Sequence, residues 1–452
     1  MHQTYSLPDK IRMSIKIFLP ILLSQILMNA TSFLDTLMAG RASAGDLAGV
    51  AMATSIWIPF QTGLTGTLIA VTSIISNKLG GSASKENVRY FIIQALYVAF
   101  LMSLFSIFIT FVFLNPLLDL LDLTERVQKI AHHFLLFLST GFIPFFLYTV
   151  IRCFFDAHGK TKLSMYISFS ILPINTVINY ILIFGKFGFP KMGGVGTGIA
   201  TSISYWIALI ISIIFIYKSK TFKHYQLFSH LIKPNYKEWK ELLQTGIPIG
   251  MSIFFEVSIF SVVTLLMSRF NIETIAAHQA ALNFSSLLFM VPLSIAMSLT
   301  ILTGYEYGAK RFSDAKQYAK IGISFAVLFA FLAAIILYLF RFNIAGLYSS
   351  NKELIYLTSN FLVFAIFFQV SDAIQAPIQG ILRGYKDVKF ALFMTLFGYW
   401  AVGLPIGYIF GTYTKLGAYG YWIGFISGLF TCALGLGFRL KYIQKKMALL
   451  PK

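Results

Sequence analysis

Long apolar runs, each broken by a short polar segment, dominate the chain from end to end. A hydrocarbon core about 30 Å thick is crossed by roughly 20 apolar residues in a helix. Twelve runs meet that length, at about 17–37, 47–76, 90–114, 130–152, 163–185, 195–217, 246–268, 276–303, 321–341, 355–382, 390–411 and 419–438. None shows the strict in–out alternation of a membrane β-barrel strand, so the spans are predicted to be helices. The first 16 residues are polar and of mixed charge. The first apolar run is too long for the h-region of a cleaved signal peptide, so it is expected to remain as the first span.

Composition agrees with this pattern and changes how the charge is understood. Hydrophobic residues make up 57% of the 452 positions and charged residues 12%, with a net charge of +19. Soluble domains carry about 25% charged residues, so a single core inside a polar shell is excluded, as is disorder. A strongly basic chain first suggests nucleic acid, but here the bases sit in short clusters between apolar runs, and no nucleic-acid partner is expected. With both termini in the cytoplasm and twelve spans, 27 of the 36 Lys and Arg fall on the inner side and nine on the outer. That bias obeys the positive-inside rule. A multi-pass protein of the cell membrane is expected. Two cysteines, Cys153 and Cys432, in or near apolar segments exclude a disulfide scaffold.

The longest polar stretch, KSKTFKHYQLFSHLIKPNYKEWKELL at 218–243, lies at the midpoint and is expected to be a cytoplasmic linker carrying an amphipathic helix on the membrane surface. It separates an N-terminal lobe, 1–217, from a C-terminal lobe, 244–452. The halves repeat. A constant offset of 228 pairs Pro20 with Pro248, Arg41 with Arg269, Gly80 with Gly308 and Tyr90 with Tyr318, and an offset of 227 pairs Phe134 with Phe361 and Lys162 with Lys389. Each half ends in a glycine-rich segment, GGVGTGIA from Gly193 and GAYGYWIG from Gly417. With an even number of spans per half, the repeats are parallel, as in many secondary transporters. Pro20, Pro59, Pro144, Pro173, Pro248, Pro292, Pro377 and Pro405 fall within spans, where each is expected to kink a helix.

Candidate chemistry comes from the scarce acids. Of 17 Asp and Glu, only Asp35, Glu256 and Asp372 lie well inside spans. A carboxylate at that depth costs several kcal/mol unless it faces a cavity or partner, which makes function the default reading. Polar residues extend its face at helical spacing: Gln25, Asn29 and Ser32 before Asp35; Ser252 before Glu256; Gln369, Gln375 and Gln379 around Asp372. Asn175 with Asn179, and Gln279 with Asn283, make two further polar faces, while His278 is expected to pack or hydrogen-bond. Carboxylate, amide and hydroxyl oxygens suit hard cations, and a buried carboxylate can alternatively carry a proton. No P-loop, HExxH or Cys-x-x-Cys appears, so neither an ATP-driven pump nor an enzyme is indicated. GGVGTG follows no strand and is not a nucleotide fingerprint.

Several ordered blocks carry a resemblance: SFLDTLMAGRASAGDLAGVAMATSIW from Ser32, FFDAHGKTK from Phe154, PINTVINYILIFG from Pro173, GGVGTGIATSISYW from Gly193, GIPIGMSIFFEVS from Gly246, IAAHQAALNFSS from Ile275 and SDAIQAPIQGILRGYKD from Ser371. The chain resembles the multidrug and toxic compound extrusion (MATE) family, in particular its NorM-like bacterial branch, over nearly its whole length. The resemblance implies an all-α membrane protein of twelve helices in two pseudo-symmetric six-helix lobes. It also implies an antiporter, without cofactor, that exports organic cations and amphipathic drugs in exchange for Na⁺ or H⁺. Carried onto this sequence, it implies an N-lobe coupling-ion site of Asp35, Asn175, Asn179 and Thr201 and a hinge at Pro20. It also implies an acidic pair, Glu256 and Asp372, in the C-lobe. That branch can carry a tyrosine one turn before the second acid, where this chain has Phe368. Gln279, Asn283, Gln369 and Gln375 are expected to line the C-lobe site with the pair, and a monomer is expected. The superfamily also includes lipid-linked precursor flippases, which often place basic residues inside the cavity; no Lys or Arg is evident within these spans.

Overall fold

The computed structural model describes residues 3–121, 123–229 and 232–449, and every regular element among them is helical. In chain order these are α1 (Leu7–Ala42), α2 (Ala44–Gly80), α3 (Lys85–Asp119), α4 (Glu125–Ser139), α5 (Phe142–Ala157), α6 (Thr161–Phe184), α7 (Gly194–Lys218), α8 (Lys220–Lys223), α9 (Tyr236–Leu266), α10 (Ile272–Gly308), α11 (Phe312–Gly346), α12 (Lys352–Gly384), α13 (Val388–Thr395), α14 (Leu404–Tyr413) and α15 (Ala418–Ala448). A 3₁₀ turn, Met267–Arg269, ends α9, and a π-helical stretch, Leu396–Gly403, joins α13 to α14. Eleven of these helical runs are long and apolar enough to cross a membrane, and α4 with α5 makes a twelfth when the pair is counted as one.

That pair corrects the single span expected at 130–152, because α4 and α5 meet at 52°. Ser139 and Thr140 turn their hydroxyls onto the carbonyls of Leu136 and Phe137, at 2.6 and 2.7 Å. A Cβ on Gly141 would lie 2.8 Å from the Cα of Ser202, so the bend also lets α7 approach closely. The segment expected as a linker, 218–243, is partly helical. α8 is a single turn, whose Phe222 is fully buried beside Phe154, Phe155 and His158, and Tyr236 already begins α9. The main chain of the linker is held by α3: Gln94 Nε2 donates to the carbonyl of Lys233 and Tyr97 Oη to that of Ile232, both at 2.8 Å. His230 and Leu231 of the linker lie outside the described residues. Of the prolines expected to kink spans, Pro144 sits in the first turn of α5, where the missing N–H has no intrahelical acceptor in any case. Pro405 lies instead inside a continuous helical run, two residues after the π-helical stretch ends, and withdraws a backbone donor there.

The contacts divide the chain into two compact units. One comprises the described residues of Leu19–Ile75 and Ala83–Gly250; within it α7 packs on α4, α5 and α6. The other comprises the described residues up to Phe18, Ser76–Ser82 and those from Met251 onward; within it α12 packs on α10, α11 and α15. The first division thus falls inside α1, just before Pro20.

The repeat leaves marks at two kinds of glycine. Gly193 and Gly417 precede α7 and α15 with φ of +56° and +52°, a left-handed conformation that β-carbons disfavour. At the first of these, Asp46 Oδ1 accepts the N–H of Gly194 at 2.7 Å, so a carboxylate caps the dipole of α7. Near the last turns of α2 and α10, a Cβ on Gly80 would strike the carbonyl of Tyr305, and one on Gly308 the carbonyl of Asn77. These are reciprocal contacts at the 228-residue offset.

Candidate functional site

In the unit that contains most of the first half, α1, α6 and α7 bring together the four residues singled out there. Asn175 and Asn179 are four apart, hence on one face of α6, and both are fully buried. Asn179 Nδ2 donates to Asp35 Oδ1 at 2.5 Å and to Asn175 Oδ1 at 2.9 Å. Thr201 Oγ1 reaches Asp35 Oδ2 at 3.4 Å. Asn179 Oδ1 and Asn175 Nδ2 are buried with no partner among the described residues. An unpaired buried polar atom costs about 1–3 kcal/mol, and the carboxylate beside an orphaned amide oxygen is a donor set suited to a small hard cation. The sequence reading missed Tyr205, one turn after Thr201, which receives a 3.5 Å contact from Gln61 Nε2 and lies within electrostatic reach of Asp35. The i,i+4 spacing from Thr201 is the signal that marks it.

The other unit holds Glu256 on α9 and Asp372 on α12, within electrostatic reach of one another. Asp372 is only 3% exposed and Glu256 is half-buried. Gln379 lies within hydrogen-bond reach of Glu256, and its Oε1 accepts from Arg383 Nη2 at 3.0 Å. Arg383, 7% exposed near the end of α12, corrects the expectation that no basic residue enters a span. Its long stem reaches back one turn into the buried region, and its charge acts on Glu256. This base therefore faces a resident acid, unlike the basic cavity expected of a flippase.

The glutamines and asparagine of this unit separate into two groups. Gln375 accepts from Tyr399 Oη at 2.7 Å, and Gln369 Nε2 donates to the carbonyl of Ser285 at 2.7 Å; both are buried. Gln279 and Asn283 lie instead on an exposed face of α10, where their hydrogen-bond partners are Thr264, at 3.4 Å, and Tyr348, at 3.0 Å. His278 is fully buried and accepts the indole N–H of Trp422 at 3.0 Å, a packing role. Phe368 is buried among Phe260, Trp422 and Phe425 and brings no hydroxyl to Asp372.

The model of the MatE family matches the chain twice, over residues 20–181 and 248–409. The chain belongs to the MATE family. Its two matched segments begin and end 228 residues apart, the offset that pairs Pro20 with Pro248. A relative described as a probable multidrug resistance protein NorM, from Bacillus subtilis (strain 168), is 49% identical over 446 residues, spanning 99% of this chain and 98% of its own. One of the same description from Bacillus anthracis is 51% identical over the same shares. Among solved structures, the eukaryotic MATE transporter AtDTX14 superposes with a TM-score of 0.86 at 19% identity, covering 97% of this chain and 98% of that one. A multidrug resistance MATE transporter in an outward-facing conformation gives 0.87 at 17% identity, covering 99% and 100%. This MATE chain is accordingly a multi-pass membrane transporter and not an enzyme.

Proposed function

We propose that this MATE protein is a cation-coupled multidrug exporter of the cell membrane, driven by exchange of organic cations and amphipathic drugs for a monovalent cation. The observation that carries the coupling site is the Asp35 cluster: a carboxylate bonded to Asn179 and Thr201, with the Asn179 oxygen beside it unpaired among the described residues. Oxygen donors of three kinds favour Na⁺ over a bare proton as its occupant. Glu256 and Asp372, with Gln369 and Gln375 nearby on α12, form the second acidic site, which binds the positive moiety of the drug. Residues 1–217 and 244–452 act as two lobes joined by 218–243, with both termini cytoplasmic, and the chain works as a monomer. Pro20 is the hinge of α1. In support, the boundary between the two compact units falls between Phe18 and Leu19. A lipid-linked precursor is not the favoured cargo, because Arg383 is already engaged by Gln379 and Glu256.

The test is efflux of a fluorescent organic cation from proteoliposomes, with Na⁺ and pH gradients imposed separately. A Na⁺ gradient alone is expected to drive efflux. Efflux that responds only to pH removes Na⁺ as the coupling ion, and efflux that follows neither gradient removes the antiport reading altogether.

A further inference from the structure

Between Thr395 and Leu404 the backbone leaves the α-helical register for eight residues. π-helical turns are rare, poorly bonded and concentrated at functional sites, so one maintained within an apolar span calls for a local cause. Three sets of contacts surround it. Tyr399, 1% exposed, donates its hydroxyl to Gln375 Oε1 at 2.7 Å, three residues beyond Asp372 on α12. The next residue, Trp400, donates its indole N–H to the carbonyl of Phe255 at 3.1 Å, immediately before Glu256 on α9. One residue before the stretch, Thr395 pairs with Ser252 at 2.7 Å, one turn before Glu256. On its remaining side, a Cβ at Gly398 would lie 2.8 Å from the carbonyl of Gly428, and one at Gly403 3.0 Å from that of Gly424, so the stretch is seated on the backbone of α15.

Two consecutive side chains of one helix thus grip the two helices that carry the acidic pair. The Tyr399 bond also fixes how the Gln375 amide faces. With Oε1 occupied, the buried Nε2 has no partner among the described residues, a donor available one turn from Asp372.

We propose that the π-helical stretch is the positioning element of the acidic pair, with Tyr399 and Trp400 as positioning residues that set the spacing of Glu256 and Asp372 and thereby the choice among organic cations. This rests on the reading above that the pair binds the positive moiety of the drug. The charged and titratable groups around Tyr399 are Glu256 on α9, Asp372 on α12 and Cys432 on α15, with Arg383 acting on Glu256 from the end of α12.

The experiment uses the full-length protein in detergent and two cations of different shape, planar ethidium and globular tetraphenylphosphonium. Binding of each is measured by fluorescence or equilibrium dialysis across pH for wild type, Y399F, W400F, E256Q and D372N. Each positioning variant removes one hydrogen bond and keeps an aromatic ring in place. The expected result is a change of about fivefold in the ratio of the two affinities for Y399F or W400F, together with a moved pH midpoint of binding. E256Q and D372N should weaken both cations. If E256Q and D372N leave both affinities intact, the acidic-pair reading is wrong. If they weaken binding while Y399F and W400F leave ratio and midpoint where they were, the acids stand and the positioning proposal is overturned. Because W400F probes the α9 contact independently, it decides the matter if Y399F does not fold.

Discussion

Replacing Asn179 with leucine tests the coupling site at its most informative atom. The carboxamide is fully buried and its two ends do different things. Nδ2 donates to Asp35 Oδ1 at 2.5 Å and to Asn175 Oδ1 at 2.9 Å, while Oδ1 has no partner among the described residues. Leucine keeps the branching and heavy-atom count of the side chain, so no cavity is left, and its larger methyl groups make the folding check below part of the test. What disappears is the bond to a charged acceptor, worth about 1.5–3 kcal/mol, the bond to Asn175, and the one oxygen that an entering cation is expected to satisfy. If the ion recovers an interaction of that size from Oδ1, half-saturation for Na⁺ should rise by roughly 10- to 100-fold, since each ~1.4 kcal/mol is a factor of ten. The assay is Na⁺-driven efflux from proteoliposomes titrated with Na⁺ at fixed pH, with protein folding checked by size exclusion and melting temperature. Asn179→Asp keeps an oxygen at the position and puts a second in place of the amide nitrogen, and should retain Na⁺ dependence that leucine loses. A folded Asn179→Leu protein with unchanged Na⁺ half-saturation would refute the assignment of Asn179 as an ion ligand.

Three further outcomes are expected. Asp35→Asn removes the only charge of that cluster, so drug accumulation in cells expressing it should rise to the level of cells lacking the protein; unchanged export would remove Asp35 from the mechanism. Gly80→Ala and Gly308→Ala each push a methyl group into a carbonyl across the α2–α10 crossing. Overpacking of that kind costs typically about 1–3 kcal/mol, so both should lower the melting temperature by similar amounts, whereas a loss confined to one would contradict the reciprocal crossing. His158, just past α5, accepts from Tyr225 Oη at 2.8 Å and donates from Nδ1 to the Phe154 carbonyl at 2.8 Å, and burial pushes its imidazole down to about 4. Because this folded value lies below the ordinary one of about 6.5, the neutral ring stabilises the fold fully above pH 6.5, and the contribution is lost as pH falls toward 4, at most about 3 kcal/mol. Melting temperature should fall over that window in wild type and much less in His158→Gln; equal slopes would sink the assignment.

Most of the scaffold was legible because a bilayer demands long apolar helices and tolerates few polar residues in them. For the same reason Asp35, Asn175 and Asn179 stood out in the sequence; Thr201 came only from the family resemblance, and the four are found together in the fold. The break at Thr140–Gly141 was hidden inside an apolar run, since it depends on hydroxyls folding onto their own helix and on Ser202 of a distant segment. Periodicity correctly puts Gln279 and Asn283 on one face of α10, but it carries no information on which neighbour that face meets, and it meets Thr264 and Tyr348. Arg383 was counted with a loop because it lies one residue from a helix end, although its side chain points back into the buried region. Nothing in the hydropathy pattern sets Tyr399 apart from the other aromatic residues of the spans. Only the shift of register after Thr395, which no hydropathy pattern encodes, turns its hydroxyl toward Gln375.

The duplication itself argues for a division of labour between the two sites. At the offset of 228, structural glycines are retained: Gly80 faces Gly308 in the repeat. The acids are not retained. The partner of Asp35 is Val263, that of Glu256 is Met28, and at 227 that of Asp372 is Phe145. Helices and crossings therefore follow the repeat while the charged chemistry departs from it. One site, around Asp35, holds a single carboxylate among neutral oxygens, a set scaled to a small inorganic ion. The other carries two carboxylates, an engaged arginine and several glutamine side chains along α12. Two unlike sites on matched scaffolds can respond to different cations through the same kind of helix movement, which is the arrangement the proposed division between coupling ion and drug calls for.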